Sequence, residues 1–187
     1  MKKILIILWL ITPFHASQAL SFNDIVDWAK PLMPWHESIP ELSFSLTDTK
    51  GVIFTEKNTR GKYLVVNFWA TWCGHCRQEM PALEALYERY NKAGFTVLGI
   101  NIENSVNPTK REEIEDFIAE NKLSFPILYD NQKLIKTTIE KDFIKKTMGV
   151  PTTVFIDRSG NARFFYEAYK LGDEKKYARV IEVLLKE

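Results

Sequence analysis

The stretch that decides the fold is Tyr63-Leu-Val-Val-Asn-Phe-Trp-Ala-Thr-Trp-Cys-Gly-His-Cys-Arg-Gln-Glu-Met-Pro81. Its first part, through Trp69, is too apolar for a strand with one side in water, so it predicts a strand buried at the centre of a sheet. A helix is predicted over about residues 73–91, with one apolar face made by Leu83, Leu86, Tyr87 and Tyr90. The two cysteines therefore lie between a buried strand and a helix.

Strands and helices alternate along the rest of the chain. Before this stretch, residues 42–46 and 52–54 predict an N-terminal hairpin. After it, the apolar patterns predict a strand (95–102), a helix opened by a capping box (Thr109-Lys-Arg-Glu112), a strand (125–129), a broken helical stretch (134–148) and two paired strands (152–156 and 162–168). A last helix is predicted from about residue 173, and its helical spacing predicts that Tyr177 faces inward. This order predicts an α/β fold, with a central mixed β-sheet flanked by helices on both faces.

Composition and charge exclude some classes of partner. Of the 187 residues, 45% are hydrophobic and 26% are charged, and the formal net charge is +1 with no long run of either sign. A nucleic-acid groove or a polybasic membrane patch needs clustered cations. We therefore expect no nucleic-acid partner, and membrane contact only through the N-terminal segment.

The N-terminal residues have the layout of a secretory signal peptide. Lys2 and Lys3 precede an apolar run over residues 4–11, and Ser17-Gln-Ala19 offers small residues before a cut after Ala19. The alternative is an N-terminal membrane anchor that stays in place, but the run is far shorter than the roughly 20 residues that span a bilayer. We expect a periplasmic or otherwise extracytoplasmic protein with a cleaved signal peptide (1–19), a helical extension and linker (20–39) and one folded domain (40–187).

The cysteine pair indicates chemistry rather than structural cross-linking. The chain has only two cysteines, Cys73 and Cys76, and a bridge between them closes so short a loop that it barely restrains the unfolded chain. Disulfide exchange needs a thiolate, which the free N–H groups and positive dipole at a helix start favour. We therefore expect a redox-active disulfide, with Cys73 as nucleophile and the more sheltered Cys76 as resolving thiol.

The sequence also resembles a known family. Cys73-Gly-His-Cys76 between a strand and a helix, together with Val150-Pro-Thr152 late in the chain, resembles the thioredoxin superfamily. The longer stretches 66–81, 149–157 and 40–46 are more similar to the TlpA/ResA-like branch of exported thiol-disulfide oxidoreductases. The resemblance runs from about residue 40 to the end, and it implies a thioredoxin-like fold and protein-disulfide oxidoreductase activity.

The resemblance implies roles for single residues. Pro151 matches the family's cis-proline, which lies with Val150 beside the cysteines and shapes the substrate groove; the alternative is an ordinary loop proline. Trp72 matches an exposed tryptophan next to the nucleophile, unless it only covers the core. Glu79 matches a glutamate that tunes the thiols and shuttles protons, unless it merely complements the helix dipole. Asn67 stands where thioredoxin itself has a buried aspartate, and asparagine cannot take a proton.

Metal and haem uses of the pair fit the sequence poorly. A zinc site needs about four ligands, but the only histidines beyond the signal segment are His36 and His75. Covalent haem attachment needs a histidine where Arg77 stands. A copper-binding metallochaperone on the same fold usually has wider cysteine spacing and a distal histidine, and a peroxidase has a different cysteine motif. We therefore expect no metal, and no cofactor beyond the disulfide.

Two hypotheses remain for the direction of electron flow. The resemblance implies a reductase of exported protein disulfides, kept reduced by a membrane thiol carrier, with apocytochromes c among its substrates. The alternative is a protein disulfide oxidase or isomerase, because those isomerases also carry Gly-His between the cysteines. His75 is expected to face the substrate and, when protonated, to favour the Cys73 thiolate. It does not decide the direction, because a one-unit pKa shift corresponds to about 30 mV against a span of roughly 150 mV in this fold.

Overall fold

One mixed β-sheet organises the structure. The computed structural model describes residues 30–31, 44–103, 107–130 and 149–187. Their elements are, in chain order, β1 (Lys30–Pro31), β2 (Ser45–Thr47), β3 (Ile53–Thr55), α1 (Glu56–Thr59), β4 (Tyr63–Trp69), α2 (Gly74–Tyr90), a 3-10 turn (Asn91–Ala93), β5 (Phe95–Asn101), α3 (Pro108–Glu120), β6 (Ile127–Tyr129), β7 (Thr152–Ile156), β8 (Ala162–Glu167) and α4 (Glu174–Leu184).

Several predicted segments lie outside the described residues. These are the signal peptide over residues 1–19 and the broken helical stretch over 134–148. The helical extension and linker expected over residues 20–39 also lie there, except for Lys30 and Pro31, which form strand β1. The domain boundaries at residues 19 and 39 therefore remain predictions.

The sheet has six strands in the described part of the chain, in the order β1-β8-β7-β4-β5-β6. β4 runs parallel to β5, and β5 parallel to β6, whereas β7 is antiparallel to β4 and β8 is antiparallel to β7. The predicted α/β fold with a mixed sheet is confirmed. β4 lies inside the sheet with all of its residues buried, as its apolar sequence predicts.

Side chains of β4 alternate between two faces of the sheet. One face packs against α2, α3 and α4, and the β4 residues in that core are Tyr63, Val65 and Trp69. The other face packs, within the described residues, against the β2–β3 hairpin, and its β4 residues are Leu64, Val66 and Phe68. By the same alternation Asn67 faces the helices. Its amide can therefore contact side chains of the helices that pack on this face.

The predicted N-terminal hairpin is confirmed as β2–β3, an antiparallel pair a few residues further along than expected. It lies next to β6, because Asp48 forms a bridge with Leu128 and the N–H of Thr49 donates to O of Ile127 at 3.0 Å. The hairpin thereby covers the face of the sheet opposite to α2.

Helix α3 begins in a different way from the prediction. Asn107 is its N-cap residue, and the Asn107 side chain accepts a hydrogen bond from the N–H of Thr109 at 3.0 Å. The predicted capping box over residues 109–112 is wrong, because asparagine caps at least as well as threonine and Pro108 suits the first turn, where an N–H lacks a partner anyway. A capping box does occur at the short, unpredicted α1, between Thr55 and Asn58.

Gly99 in β5 has no room for a side chain. A Cβ atom there would lie 2.5 Å from Cδ1 of Ile127 and 3.0 Å from Cε2 of Phe125. Both neighbours are buried, so neither can move freely aside. Glycine is therefore required at this position by the close packing of β5 against the β6 region.

We expect Gly99→Ala to lower the free energy of unfolding by about 1–3 kcal/mol, because overpacking forces the neighbouring side chains out of position. Chemical denaturation of the oxidised protein measures the loss. Gly74→Ala is the control, since a Cβ at Gly74 meets nothing within 4 Å and alanine suits a helix better. Equal denaturation midpoints for Gly99→Ala and the wild type would contradict the packing argument.

Candidate functional site

Cys73 and Cys76 lie at the junction between β4 and α2. β4 ends at Trp69, and α2 begins at Gly74 with Cys73 as its N-cap residue. A disulfide joins the two cysteines, whose Cα atoms are 5.2 Å apart. Cys73 is 6% exposed and Cys76 is fully buried. Cys73 is therefore the more accessible of the two cysteines.

The helix start supplies a hydrogen-bond donor to the sulfur of Cys73. Its Sγ accepts the N–H of Cys76 at 3.1 Å and lies at the positive end of the α2 dipole. The first turn of α2 carries no acidic residue that would oppose a negative charge there. Reduction of the disulfide therefore places a Cys73 thiolate in surroundings that stabilise it.

The loop before β7 brings a carbonyl oxygen next to the same sulfur. The Val150–Pro151 peptide bond is cis, and O of Val150 lies 3.5 Å from Sγ of Cys73. The N–H of Ala168, just after β8, donates to O of Pro151 at 3.1 Å. The sheet thereby holds this loop against a cysteine 77 positions away in the sequence.

The surface around Cys73 combines apolar and polar side chains. Trp72 is 67% exposed, so it does not merely cover the core. His75 is also exposed, whereas Val150 is half-buried and Pro151 is buried. The structure places these four residues beside the disulfide, and their contact with a substrate stays a prediction.

Glu79 is fully buried in α2, one turn after Cys76. Its Oε1 accepts hydrogen bonds from Oγ1 of Thr153 and from the hydroxyl of Tyr177, each at 2.7 Å. Its Oε2 accepts one from Nδ2 of Asn67 at 3.0 Å. Burial raises the pKa of Glu79 above its ordinary value of 4.5, and the three donors partly oppose that rise. A carboxylate that only complemented the helix dipole would not need this enclosure.

The four residues Glu79, Asn67, Thr153 and Tyr177 form what we call the Glu79 cluster. Asn67 and Thr153 lie directly opposite each other on the paired strands β4 and β7, and Nδ2 of Asn67 donates to Oγ1 of Thr153 at 2.8 Å. Tyr177 comes from the buried face of α4. The sequence predicted that Tyr177 is buried but assigned no site role to it or to Thr153. The inward-facing Tyr177 could have been recognised from the sequence as a site candidate, because a buried tyrosine hydroxyl needs a hydrogen-bond partner.

A second buried acid, Glu103, holds the loop that precedes Cys73. Its carboxylate accepts the N–H of Thr71 at 2.6 Å and the hydroxyl of Thr71 at 3.0 Å. Nδ2 of Asn101 donates to the same carboxylate at 3.2 Å. Sequence reasoning did not single out Glu103, because its contact with Thr71 depends on the end of β5 lying beside the end of β4.

The described residues contain no group of three or more His, Cys, Asp or Glu side chains that could hold a metal ion. In the same part of the chain, no helix has the length and apolarity needed to cross a bilayer.

The chain is similar in sequence to proteins named as thiol-disulfide oxidoreductases or as thioredoxin-like. The chain is 33% identical over 120 residues to the thiol-disulfide oxidoreductase ResA of Geobacillus kaustophilus, which covers 64% of this chain and 63% of the relative. It is 36% identical over 117 residues to the thioredoxin-like protein YneN of Bacillus subtilis, which covers 63% of each chain. The chain thus spans less than two thirds of the length of these curated relatives.

Fold and family follow from two further comparisons. A thiol:disulfide interchange protein of the thioredoxin family from Chlorobium tepidum superposes with a TM-score of 0.68 over 80% of this chain and 97% of that one, at 23% identity. This likeness confirms the predicted thioredoxin-like fold. The sequence model of the AhpC/TSA family matches residues 37–165, more than half of the chain. The chain therefore belongs to the AhpC/TSA family, and its fold is thioredoxin-like.

Proposed function

We propose that this protein is a thiol-disulfide oxidoreductase that exchanges electrons with protein disulfides through Cys73 and Cys76. One observation carries the proposal: the pair lies at the N-terminus of α2, with O of Val150 and the cis Val150–Pro151 bond against Cys73. The relative ResA is named for the same activity, which supports the proposal. The nucleophile is Cys73 and the resolving thiol is Cys76.

The exchange balances in electrons and protons. The Cys73 thiolate attacks a substrate disulfide, forms a mixed disulfide and displaces one substrate thiolate, which takes up a proton. Cys76 then loses its proton and attacks Sγ of Cys73, which releases the second substrate thiol and closes the internal disulfide. Two electrons pass from the cysteine pair to the substrate, together with the proton of Cys76 and one proton from water that replaces the proton Cys73 lost on ionising. Oxidation of a substrate dithiol runs through the same steps in reverse.

Glu79 is the proposed proton acceptor for Cys76. A fully buried thiol has no direct access to water, so its attack on the mixed disulfide needs a nearby base. Glu79 lies on the same face of α2, three residues after Cys76. Burial raises its pKa toward the range in which a carboxyl group takes up and returns a proton efficiently. In the reverse direction Glu79 returns the proton to Cys76.

The proposed substrate is the extended chain of a protein that contains a disulfide. Trp72 and His75 lie exposed next to the cysteines, and Val150 and Pro151 form the other side of the same surface. An extended chain laid across Val150 brings its sulfur toward Cys73. Side chains that flank the substrate disulfide are then in reach of Trp72 and His75.

We further propose a reductase that works outside the cytoplasm after removal of a signal peptide over residues 1–19. A membrane thiol carrier keeps it reduced, and its substrates are exported proteins such as apocytochromes c. The resemblance to the TlpA/ResA-like branch and the names of the relatives support this direction. An oxidase or isomerase is the second candidate, favoured by the exposed His75 beside Cys73.

Cys76→Ser is expected to trap mixed disulfides through Cys73, because no resolving thiol remains to release the substrate. The reduced variant is mixed with a disulfide-containing test protein, and the adduct is detected by non-reducing electrophoresis and mass spectrometry. Cys73→Ser is the control and gives no adduct, since its remaining thiol is fully buried. An adduct with Cys73→Ser alone would show that the two roles are reversed.

Glu79→Gln is expected to slow the resolving step by about 10²-fold, because general base catalysis contributes factors of this order. Single-turnover release of substrate from the mixed disulfide measures the rate across pH. The wild-type rate rises with pH as Glu79 ionises, and the variant loses this rise. Glu84→Gln is the control, because Glu84 is a buried acid of the same helix that binds Ser124 instead. Superimposable profiles for Glu79→Gln and the wild type would leave Glu79 without a catalytic role.

The raised pKa of Glu79 also predicts a pH dependence of stability. Between pH 4.5 and the folded-state pKa, the unfolded protein has lost this proton and the folded protein keeps it. The wild-type free energy of unfolding therefore falls by about 1.4 kcal/mol per pH unit in this window, relative to Glu79→Gln. Urea denaturation of both oxidised proteins at several pH values measures the difference. A difference that does not change with pH would contradict the raised pKa.

The reductase hypothesis predicts a reduction potential of the Cys73–Cys76 pair near that of thioredoxin, about −270 mV. Equilibration with glutathione buffers of known ratio measures it. A value above about −180 mV, the range of protein disulfide isomerase and DsbA, would instead support the oxidase or isomerase.

A further inference from the structure

The last helix of the fold contributes a hydroxyl group to the site. Tyr177 lies on the buried face of α4, 98 positions after Glu79, and only the packing of α4 beside α2 brings the two together. Its ring packs against Phe155 and Tyr166, with ring centroids 5.4 and 5.5 Å away. Hydrophobic packing alone would be served equally well by phenylalanine. The hydroxyl of Tyr177 therefore needs a separate explanation.

The donors around Glu79 are divided unequally between its two oxygens. Oε1 accepts from both Thr153 and Tyr177, whereas Oε2 accepts from Asn67 alone among the residues that the structure describes. A proton on Oε1 would have to displace one of two short hydrogen bonds. A proton on Oε2 faces a single amide. The proton of the neutral acid therefore belongs on Oε2, and negative charge is stabilised best on Oε1.

The amide of Asn67 can serve both protonation states of Oε2. Its Nδ2 donates to Oε2 of the ionised acid, while its Oδ1 has no donor within hydrogen-bond distance among the described residues. The two orientations of an amide have nearly the same shape. When Oε2 is protonated, a rotated amide presents Oδ1 as the acceptor, so the proton has a partner in this state too, at the loss of the hydrogen bond from Nδ2 to Oγ1 of Thr153.

We propose that Tyr177 is a positioning residue for the exchange reaction: its hydroxyl fixes the negative charge of Glu79 on Oε1 and leaves Oε2 as the oxygen that takes up the proton. The inference rests on the proposed function of Cys73 and Cys76. It names a further residue, Tyr177, on which the pH range of the exchange reaction depends. Removal of the hydroxyl withdraws a donor from the ionised acid. The pKa of Glu79 then rises, and the exchange needs a higher pH.

The other titratable groups near Glu79 do not replace Tyr177. Cys76 comes from α2 and is the proton donor itself. From the start of α4, the charge of Asp173 raises the pKa of Glu79, but its carboxylate is paired with Nζ of Lys176 at 2.8 Å. The hydroxyl of Tyr169 donates to Glu174 instead. Strands β4 and β7 contribute only Asn67 and Thr153, which do not titrate.

Tyr177 stays neutral and acts only as a donor. Burial raises the pKa of its phenol, and the neighbouring charge of Glu79 raises it further. The proton that moves during exchange is therefore that of Cys76 and Glu79, and Tyr177 orients the acid without losing its own proton.

The test is the pH dependence of the resolving step in Tyr177→Phe. A hydrogen bond to a charged group is worth enough to shift the midpoint upward by about one to two pH units when it is lost. Carbon-13 NMR of labelled glutamate carboxyl groups, with Glu79→Gln for assignment, measures the pKa of Glu79 directly. Tyr169→Phe is the matched control, because it removes a hydroxyl from a neighbouring buried ring without touching Glu79. Its midpoint stays that of the wild type.

A second variant tests the role of the Tyr177 hydroxyl in the opposite direction. Fluorinated tyrosine placed at position 177 retains the ring and strengthens the donor, so the midpoint moves downward, and it serves if Tyr177→Phe does not fold. An unchanged midpoint in both variants, with the fold intact, overturns the assignment of Tyr177. Absence of exchange in the wild type itself overturns the proposed function instead, and the NMR titration then still decides the role of Tyr177.

Discussion

The burial of one carboxyl group is the constraint on which the site depends. A carboxylate removed from water is costly unless hydrogen bonds replace its hydration. For Glu79 the replacements come from β4, β7 and α4, each of which donates one hydrogen bond. β4 and β7 must pair, and α4 must pack beside α2 on the same face of the sheet, before this acid can be held one turn after Cys76. The local chemistry of the site therefore depends on the assembled domain.

The amide of Asn67 keeps the cluster to a single acid. A second carboxylate at this position would lie about as close to Glu79 as the 3.0 Å that separates Nδ2 from Oε2, and the two could not both ionise. Asparagine donates where an aspartate would repel. In this chain the buried acid of the cluster lies on the helix, three residues after Cys76.

Much of the architecture could be predicted because it is encoded over short stretches. β4 and β7 have the bounds that their apolar runs predict, and α4 begins where expected. The predicted start of α3 was wrong because both Asn107 and Thr109 are residues that commonly cap helices. Which of them becomes the cap depends on where the chain leaves β5. The observed bounds of the hairpin strands differ from the predicted ones by a few residues. The pairing register sets where such strands end, and the sequence of one strand alone does not give that register.

The amino-acid sequence by itself determined the fold class and the place of the cysteine pair at a helix start, because a helix start beside Cys73 is a local feature. The order in which the two cysteines attack stays a prediction. The sequence also determined that Tyr177 faces inward, because helical periodicity is local too. Only the tertiary structure decided that O of Val150 lies against Cys73, that Thr153 faces Asn67 across two strands, and that Tyr177 reaches Glu79. Such contacts join residues far apart in the chain, and their partners follow from packing rather than from any neighbouring residue.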